Sequence, residues 1–195
     1  VEYQLQGTPL VSILIPNKDQ ADTLRTCLES IKKKCMYPSY EILIIENNST
    51  EEATFSYYKE LEAQGIRVLK YPKQGFNYSA INNFAVREAR GEYLLFLNND
   101  VEIITESWLE EMLQLCQQKD VGMAGAKLYY PDDTIQHAGV VIGFGGIAGH
   151  TFIGLHKAEN SYFHRAMCAQ DYSAVTAACL MTKKSVFEAV GGLST

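Results

Sequence analysis

Apolar runs alternate with polar breaks along the first two-thirds of the chain, in the order strand, loop, helix. Residues 10–15 form a short β-branched run that meets Pro16, which has no amide proton for a central strand, so the strand is expected to stop there. The loop Asn17-Lys18-Asp19 follows. Leu24, Cys27, Leu28 and Ile31 then recur at helical spacing, with Lys32, Lys33 and Lys34 at the C-terminal turn, where cations favour the helix dipole. The unit repeats: residues 41–45 read as a strand ending in Glu46-Asn47-Asn48, and Ser49 with Glu52 predicts a capping box. Phe55, Tyr58 and Leu61 supply that helix with an apolar stripe, and Gly65 is a natural residue just past its end. Residues 66–71 predict a third strand closed by Pro72, and Ala80, Ile81, Phe84 and Ala85 a third helix ending near Gly91. The fourth strand, residues 93–97, is five consecutive apolar residues, the mark of a strand buried on both faces of a parallel sheet. Thr105 is the expected cap of a fourth helix whose buried face carries Trp108, Met112 and Leu115.

Four strands alternating with four helices over the first 118 residues imply βαβ units and a mostly parallel sheet flanked by helices. The pattern then changes. Residues 121–128 read as a strand, and Tyr129 with Pro131-Asp132-Asp133 as a turn. Gly139, Gly143, Gly145, Gly146 and Gly149 predict short strands and a mobile loop, either a lid or a set of turns. Residues 162–171 look irregular, 174–181 read as a last apolar strand, and 183–190 as a short helix before Gly191-Gly192.

At 195 residues, 47% hydrophobic and 21% charged, the chain is a globular α/β domain with enough core to need no staples. The net charge of −6 argues against a broad nucleic-acid surface, but leaves room for a small phosphorylated ligand held by local donors. Cys27, Cys35, Cys116, Cys168 and Cys179 are odd in number and form no CxxC pair. That disfavours a zinc ribbon or a redox motif and suits reduced thiols in the cytosol. No apolar run approaches the roughly 20 residues of a membrane span. Val1 in place of Met, and an end at Leu193-Ser194-Thr195, suggest a segment of a longer polypeptide.

Polar residues cluster where the predicted strands end: Pro16-Asn17-Lys18, Glu46-Asn47-Asn48 and Asn98-Asn99-Asp100, with Asn77 and Asn82 beyond the third strand. Each could be a turn or a helix cap, but recurrence at successive strand ends is what a ligand crevice outside a parallel sheet requires. Glu46 can accept from a base edge or a ribose hydroxyl, and Lys18 can offset phosphate charge. Asp100 suits a hard cation that completes its shell from water and a diphosphate. The first strand is followed by neither GxGxxG nor GxxxxGK[ST], which argues against a nicotinamide dehydrogenase and a P-loop NTPase.

The stretches 11–17, 46–50, 91–100 and 191–193 together resemble family 2 glycosyltransferases of the GT-A fold, over nearly the whole chain. The resemblance implies a Rossmann-like single domain. It also implies an inverting transferase that takes a UDP-, dTDP- or GDP-sugar with Mg²⁺ or Mn²⁺ and acts on a glycan or lipid-linked acceptor. On that reading residues 1–118 are the nucleotide-binding half and 119–195 the start of the acceptor-side half. Pro16 and Asn17 lie in the nucleotide-binding loop, and Glu46 matches the residue that contacts base or ribose. Asn98-Asn99-Asp100 matches the DxD motif, with Asp100 as metal ligand. Glu46 stands where Asp is usual, and Asn98 replaces the first Asp. Residues 135–141 and 173–179 are similar to the subgroup of rhamnosyltransferases and cell-surface polysaccharide enzymes, which implies a cytoplasmic enzyme, peripheral to the inner face of the membrane.

An inverting transferase needs a general base for the acceptor hydroxyl. The family places it shortly after the Gly-Gly segment, hence beyond Thr195, with Asp171 the internal substitute. His137 and His150 flank the glycine-rich region and could touch acceptor or phosphate, but a loop or core role is the simpler assignment. The missing base and Asn98 also leave open a non-catalytic module that only binds a nucleotide sugar or glycan. Nucleotidyl transfer is a third reading, disfavoured because no Lys- and Arg-containing triphosphate loop follows the first strand.

Overall fold

The computed structural model describes residues 3–195. Its first part follows the alternation: β1 (Val11–Asn17), α1 (Ala21–Lys34), β2 (Tyr40–Glu46), α2 (Glu52–Ala63), β3 (Arg67–Lys70), α3 (Tyr78–Glu88), β4 (Tyr93–Leu97) and α4 (Trp108–Cys116). After these come β5 (Met123–Gly125), β6 (Leu128–Tyr129), β7 (Ile135–His137), β8 (Val140–Ile142), β9 (Ala148–His150), a 3₁₀ helix (Tyr162–Met167), β10 (Cys179–Lys183) and α5 (Lys184–Ala189). The main sheet has the order β3-β2-β1-β4-β10-β5. β1 pairs in parallel with both β2 and β4, and β2 with β3. The chain departs from β1 towards β2 and β3 on one side and towards β4 on the other, so the β1/β4 boundary is the topological switch point.

Two compact units result, residues up to 124 together with 181–195, and residues 125–180. In the first unit β4 is buried along its whole length, as are residues 11–15 of β1 and Leu43, Ile44 and Ile45 of β2. Leu24, Cys27, Leu28 and Ile31 give α1 its inner face, at the spacing the sequence shows. Gly65 (φ 84) closes α2, with the Ile66 amide returning to the Leu61 carbonyl at 3.0 Å.

Several local expectations are corrected. β1 does not stop before Pro16 but runs through it to Asn17, with Pro16 opposite Ile45. The Asn17 carbonyl accepts from the Asn47 amide, so its backbone groups face β2 and those of Pro16 face the β4 side. There the register ends at Leu14–Phe96, and no strand partner misses the absent proton. The Ser49–Glu52 capping box does not form; α2 starts at Glu52 after Glu51, and Ser49 is used elsewhere. Phe55 is exposed, and Thr54, Tyr57, Tyr58 and Leu61 form the buried face instead. Thr105 is not the cap of α4, which begins after Ser107, and its inner face is Trp108, Leu109, Met112, Leu113 and Cys116, with Leu115 half-buried. Residues 121–128 split into β5 and β6, which join different sheets, and the last strand starts at Cys179 rather than 174.

The second unit holds two short antiparallel pairs, β6 with β7 and β8 with β9. The glycine-rich stretch is therefore a hairpin, closed by a 2.9 Å bond from the Gly143 amide to the Ile147 carbonyl. The compact units do not follow a single cut at 118/119, because the last fifteen residues belong with the first.

Candidate functional site at the carboxyl ends of β1, β2 and β4

The rim begins with register. Asn17 lies opposite Glu46, and Glu46 opposite Lys70, so the first two polar strand ends are neighbours. β4 ends at Leu97, and the next turn reaches back across the switch point: the Asn99 amide nitrogen donates to Asn17 Oδ1 at 2.6 Å. Asn17 is 2% exposed. Its Nδ2 donates to the Tyr58 hydroxyl at 2.7 Å and to the Asp19 carbonyl at 2.9 Å. Tyr58, on α2, is itself buried, and burial raises its pKa, so it stays a neutral hydroxyl.

Asp19 locks the β1–α1 loop to the β2–α2 loop. Its amide donates to Ser49 Oγ at 2.9 Å, and its Oδ1 accepts from the amides of Thr50 (2.7 Å) and Glu51 (2.9 Å). These two amides, foremost that of Glu51, hold its carboxyl below the usual value. Both amides lie in the turn that enters α2, whose N-cap residue, Glu51, has no side-chain cap of its own. The Ser49 amide turns to Glu46 Oε1 at 2.5 Å, and Glu46 is 4% exposed. Asn48 bridges to Asn47 Oδ1 (2.8 Å) and the Lys73 carbonyl (3.0 Å). In the first unit every non-glycine residue with positive φ among those described is on this rim: Asp19 (53°), Gln20 (56°) and Asn48 (61°). Left-handed backbone of this kind is sustained where surrounding bonds over-determine it, and it concentrates at binding sites.

Asp100 is exposed, one residue beyond Asn99. Beneath it the Cys27 thiol lies 3.8 Å from the Asn98 carbonyl, and burial, with the Asp100 charge second, pushes that thiol up to about 12. Lys18 is exposed, and Pro16 is half-buried in β1. Asn77 is spent as the cap of α3, accepting from the Ala80 amide at 2.9 Å. Asn82 is fully enclosed and donates to the Tyr78 carbonyl at 2.9 Å, so it presents no surface to a ligand. Its neighbour Asn83, which the pattern did not mark, holds the Gly-Gly segment: Nδ2 donates to the Leu193 carbonyl (2.8 Å) and Oδ1 accepts from the Leu193 amide (3.0 Å). Tyr58 and Asp19 were equally invisible as site residues, because each acts through a partner at least thirty positions away.

The donor set suits one kind of cation. No group of three His, Cys, Asp or Glu side chains converges among the described residues. A single carboxylate beside amide oxygens fits Mg²⁺ or Mn²⁺ shared with substrate phosphates and water, not a closed protein cage. In the second unit Asp171 is exposed, while His137 is buried and lies 2.9 Å from His150, Nδ1 to Nδ1.

A parallel sheet with a topological switch point places this chain among the open α/β proteins, in which the carboxyl ends of the strands are the usual position of a ligand crevice. The chain is a member of glycosyl transferase family 2, whose model matches residues 12–191. It is 49% identical over 195 residues to the uncharacterized protein y4gI of Sinorhizobium fredii, covering 98% of this chain and 21% of that protein. It is 42% identical over 193 residues to the O-antigen biosynthesis protein RfbC of Myxococcus xanthus, covering 98% and 15% respectively. The chain thus spans a minor part of these curated relatives. Among solved structures it matches a mannosyltransferase of Pyrobaculum calidifontis in complex with GDP-Man and Mn²⁺ (TM-score 0.72, 15% identity, 100% of this chain and 50% of that one). S. aureus TarS 1–349 in complex with UDP-GlcNAc matches with TM-score 0.52 at 18% identity, over 60% of this chain and 34% of that one. These likenesses show the GT-A fold, as the resemblance implied. No helix among the described residues is long and apolar enough to cross a membrane.

Proposed function

We propose that this chain is the donor-binding catalytic core of an inverting glycosyltransferase, moving a sugar from a nucleotide-diphosphate sugar to a glycan or lipid-linked acceptor in surface-polysaccharide synthesis. The observation that carries the reading is the rim itself: Asn17 and Asn99 bonded across the switch point, Glu46 in register beside them and Asp100 next in the chain. Glu46 keeps one carboxylate oxygen on the Ser49 amide, and its other oxygen would accept from a base or ribose. Pro16 and Lys18 form the wall of the nucleotide side, with Asn17 buried behind them, and Asn98, Asn99 and Asp100 the diphosphate side. Asp100 would hold the cation, which when bound stabilises the departing diphosphate. A Mn²⁺-loaded structural neighbour and an O-antigen relative support this direction.

Calorimetry with UDP, GDP and dTDP, each with and without Mn²⁺, tests it. At least one nucleotide binds only with the metal, and Asp100→Ala abolishes that dependence. Binding of none, or the same metal dependence in Asp100→Ala, overturns the assignment.

A further inference from the structure

Asn17 sits in the segment that the family pattern gives to the nucleotide, yet its side chain is almost wholly withdrawn from the surface. Its hydrogen-bonding groups are taken up inside the protein. The Asp19 carbonyl can only accept, so the group 2.9 Å away must be the Asn17 NH₂, which fixes the orientation of this amide. The second Asn17 proton goes to the Tyr58 hydroxyl. Oδ1 therefore faces β4, and the Asn99 group 2.6 Å from it must be a donor. Asn99 is locked in turn, with its NH₂ inward and its Oδ1 turned away from Asn17. No donor among the described residues occupies that oxygen, which belongs to a partly exposed residue directly before Asp100.

We infer that Asn17 and Tyr58 are positioning residues rather than nucleotide contacts: through one chain of side-chain bonds they set the amide of Asn99 so that its carbonyl oxygen, beside Asp100, faces the cation. This rests on the transferase reading and adds to it the residues that orient the metal-side oxygen. An amide free to flip must give up its other orientation and bonds to turn its oxygen to a cation. A locked one presents oxygen always, which is how outer groups tune a metal site.

The test is a cycle of Asn17→Ala, Asn99→Ala, the double variant and Tyr58→Phe. It is read as the Mn²⁺ concentration giving half-maximal binding of whichever of UDP, GDP or dTDP the unaltered chain binds. Asn17→Ala and Asn99→Ala each raise it about tenfold, Tyr58→Phe less, and the double variant no more than Asn99→Ala alone. At saturating Mn²⁺ Asn17→Ala and Tyr58→Phe bind nucleotide as tightly as the unaltered chain. Multiplying effects in the double variant, or affinity lost by Asn17→Ala at saturating Mn²⁺, would mean direct contact and overturn the proposal. A second readout needs no nucleotide: in ¹⁵N spectra the Asn99 side-chain amide exchanges slowly in the unaltered chain and fast in Asn17→Ala and Tyr58→Phe. An Asn99 signal indifferent to both substitutions also overturns it, and Tyr58→Phe, which keeps the ring, serves if Asn17→Ala does not fold. Protected Asn99 signals in a chain that binds no nucleotide with Mn²⁺ would sink the transferase reading and leave the side-chain relay standing.

Discussion

Asn99 and Asn17, 82 residues apart, meet side chain to side chain at 2.6 Å across the boundary between β4 and β1. The bond joins the two halves of the parallel sheet at the point where their chain directions diverge, and its acceptor, Asn17, is buried. Truncating Asn17 leaves the Asn99 amide without its partner and the Tyr58 hydroxyl with only the 3.4 Å contact to Ser49 Oγ. Asn17→Ala is therefore expected to lower unfolding free energy by about 1–3 kcal/mol, measured by urea denaturation. A loss within experimental scatter would show that the network is solvated and not structural.

Asp19 predicts a pH dependence at the acid end. Its carboxyl is held below the ordinary 3.8 by the amides of Glu51 and Thr50. The stabilisation is present above 3.8 and is lost as pH falls through the lower folded value. Asp19→Asn, which keeps the shape but not the charge, should be less stable than the unaltered chain near neutrality. The two unfolding curves should converge in strong acid; a gap that persists there would point to a role other than charge.

His137 predicts a second, less acidic limb. It is 1% exposed, and the Thr176 amide lies 3.3 Å from its Nε2. That nitrogen must accept, which leaves the proton on Nδ1, facing His150. Burial first, and the His150 charge second, lower its pKa from 6.5 to about 4. Between these values the unfolded imidazole takes up a proton that the folded one refuses, so stability falls as pH drops from 6.5 towards 4, by about 1–3 kcal/mol. Amide exchange of residues 137–176 in the unaltered chain and in His137→Gln reads this out. An equal acid slope in both would refute it.

Gly91 is required by close approach rather than by backbone angle. A Cβ there would stand 2.6 Å from the Ser12 amide nitrogen and 2.8 Å from the Leu10 carbonyl, and neither can give way without shifting β1. The same neighbourhood holds Ser12 Oγ bonded to the Gly91 amide (2.8 Å) and to Glu41 (2.6 Å). Gly91→Ala should destabilise by about 1–3 kcal/mol through overpacking, seen as a lowered thermal midpoint. Full retention of the midpoint would mean that β1 shifts freely.

The thiols should divide by burial. Cys168 is exposed, whereas Cys27, Cys116 and Cys179 are buried, and burial pushes the first two of these buried thiols up to about 12. A thiol reagent at neutral pH should label Cys168 quickly and Cys27 and Cys116 only on unfolding. Rapid native labelling of Cys27 would show that the turn at Asn98 opens.

Much of this protein was written in the order of its residues. β4 has the bounds that five consecutive apolar residues predict, and the inner face of α1 is the one its helical spacing marks, because burial on one or both faces dictates a local period. The same logic located the polar strand ends, since a parallel sheet gathers its carboxyl edges whatever the residues are. Tertiary structure alone decided which polar side chains face inward. Asn17 opposite Asn99, Tyr58 behind Asn17, Asp19 on the Thr50 and Glu51 amides, and Asn83 on the Gly-Gly segment all join residues distant in the chain. A hydrogen bond depends on a few tenths of an ångström and on the direction of a lone pair, and neither leaves any period in a sequence.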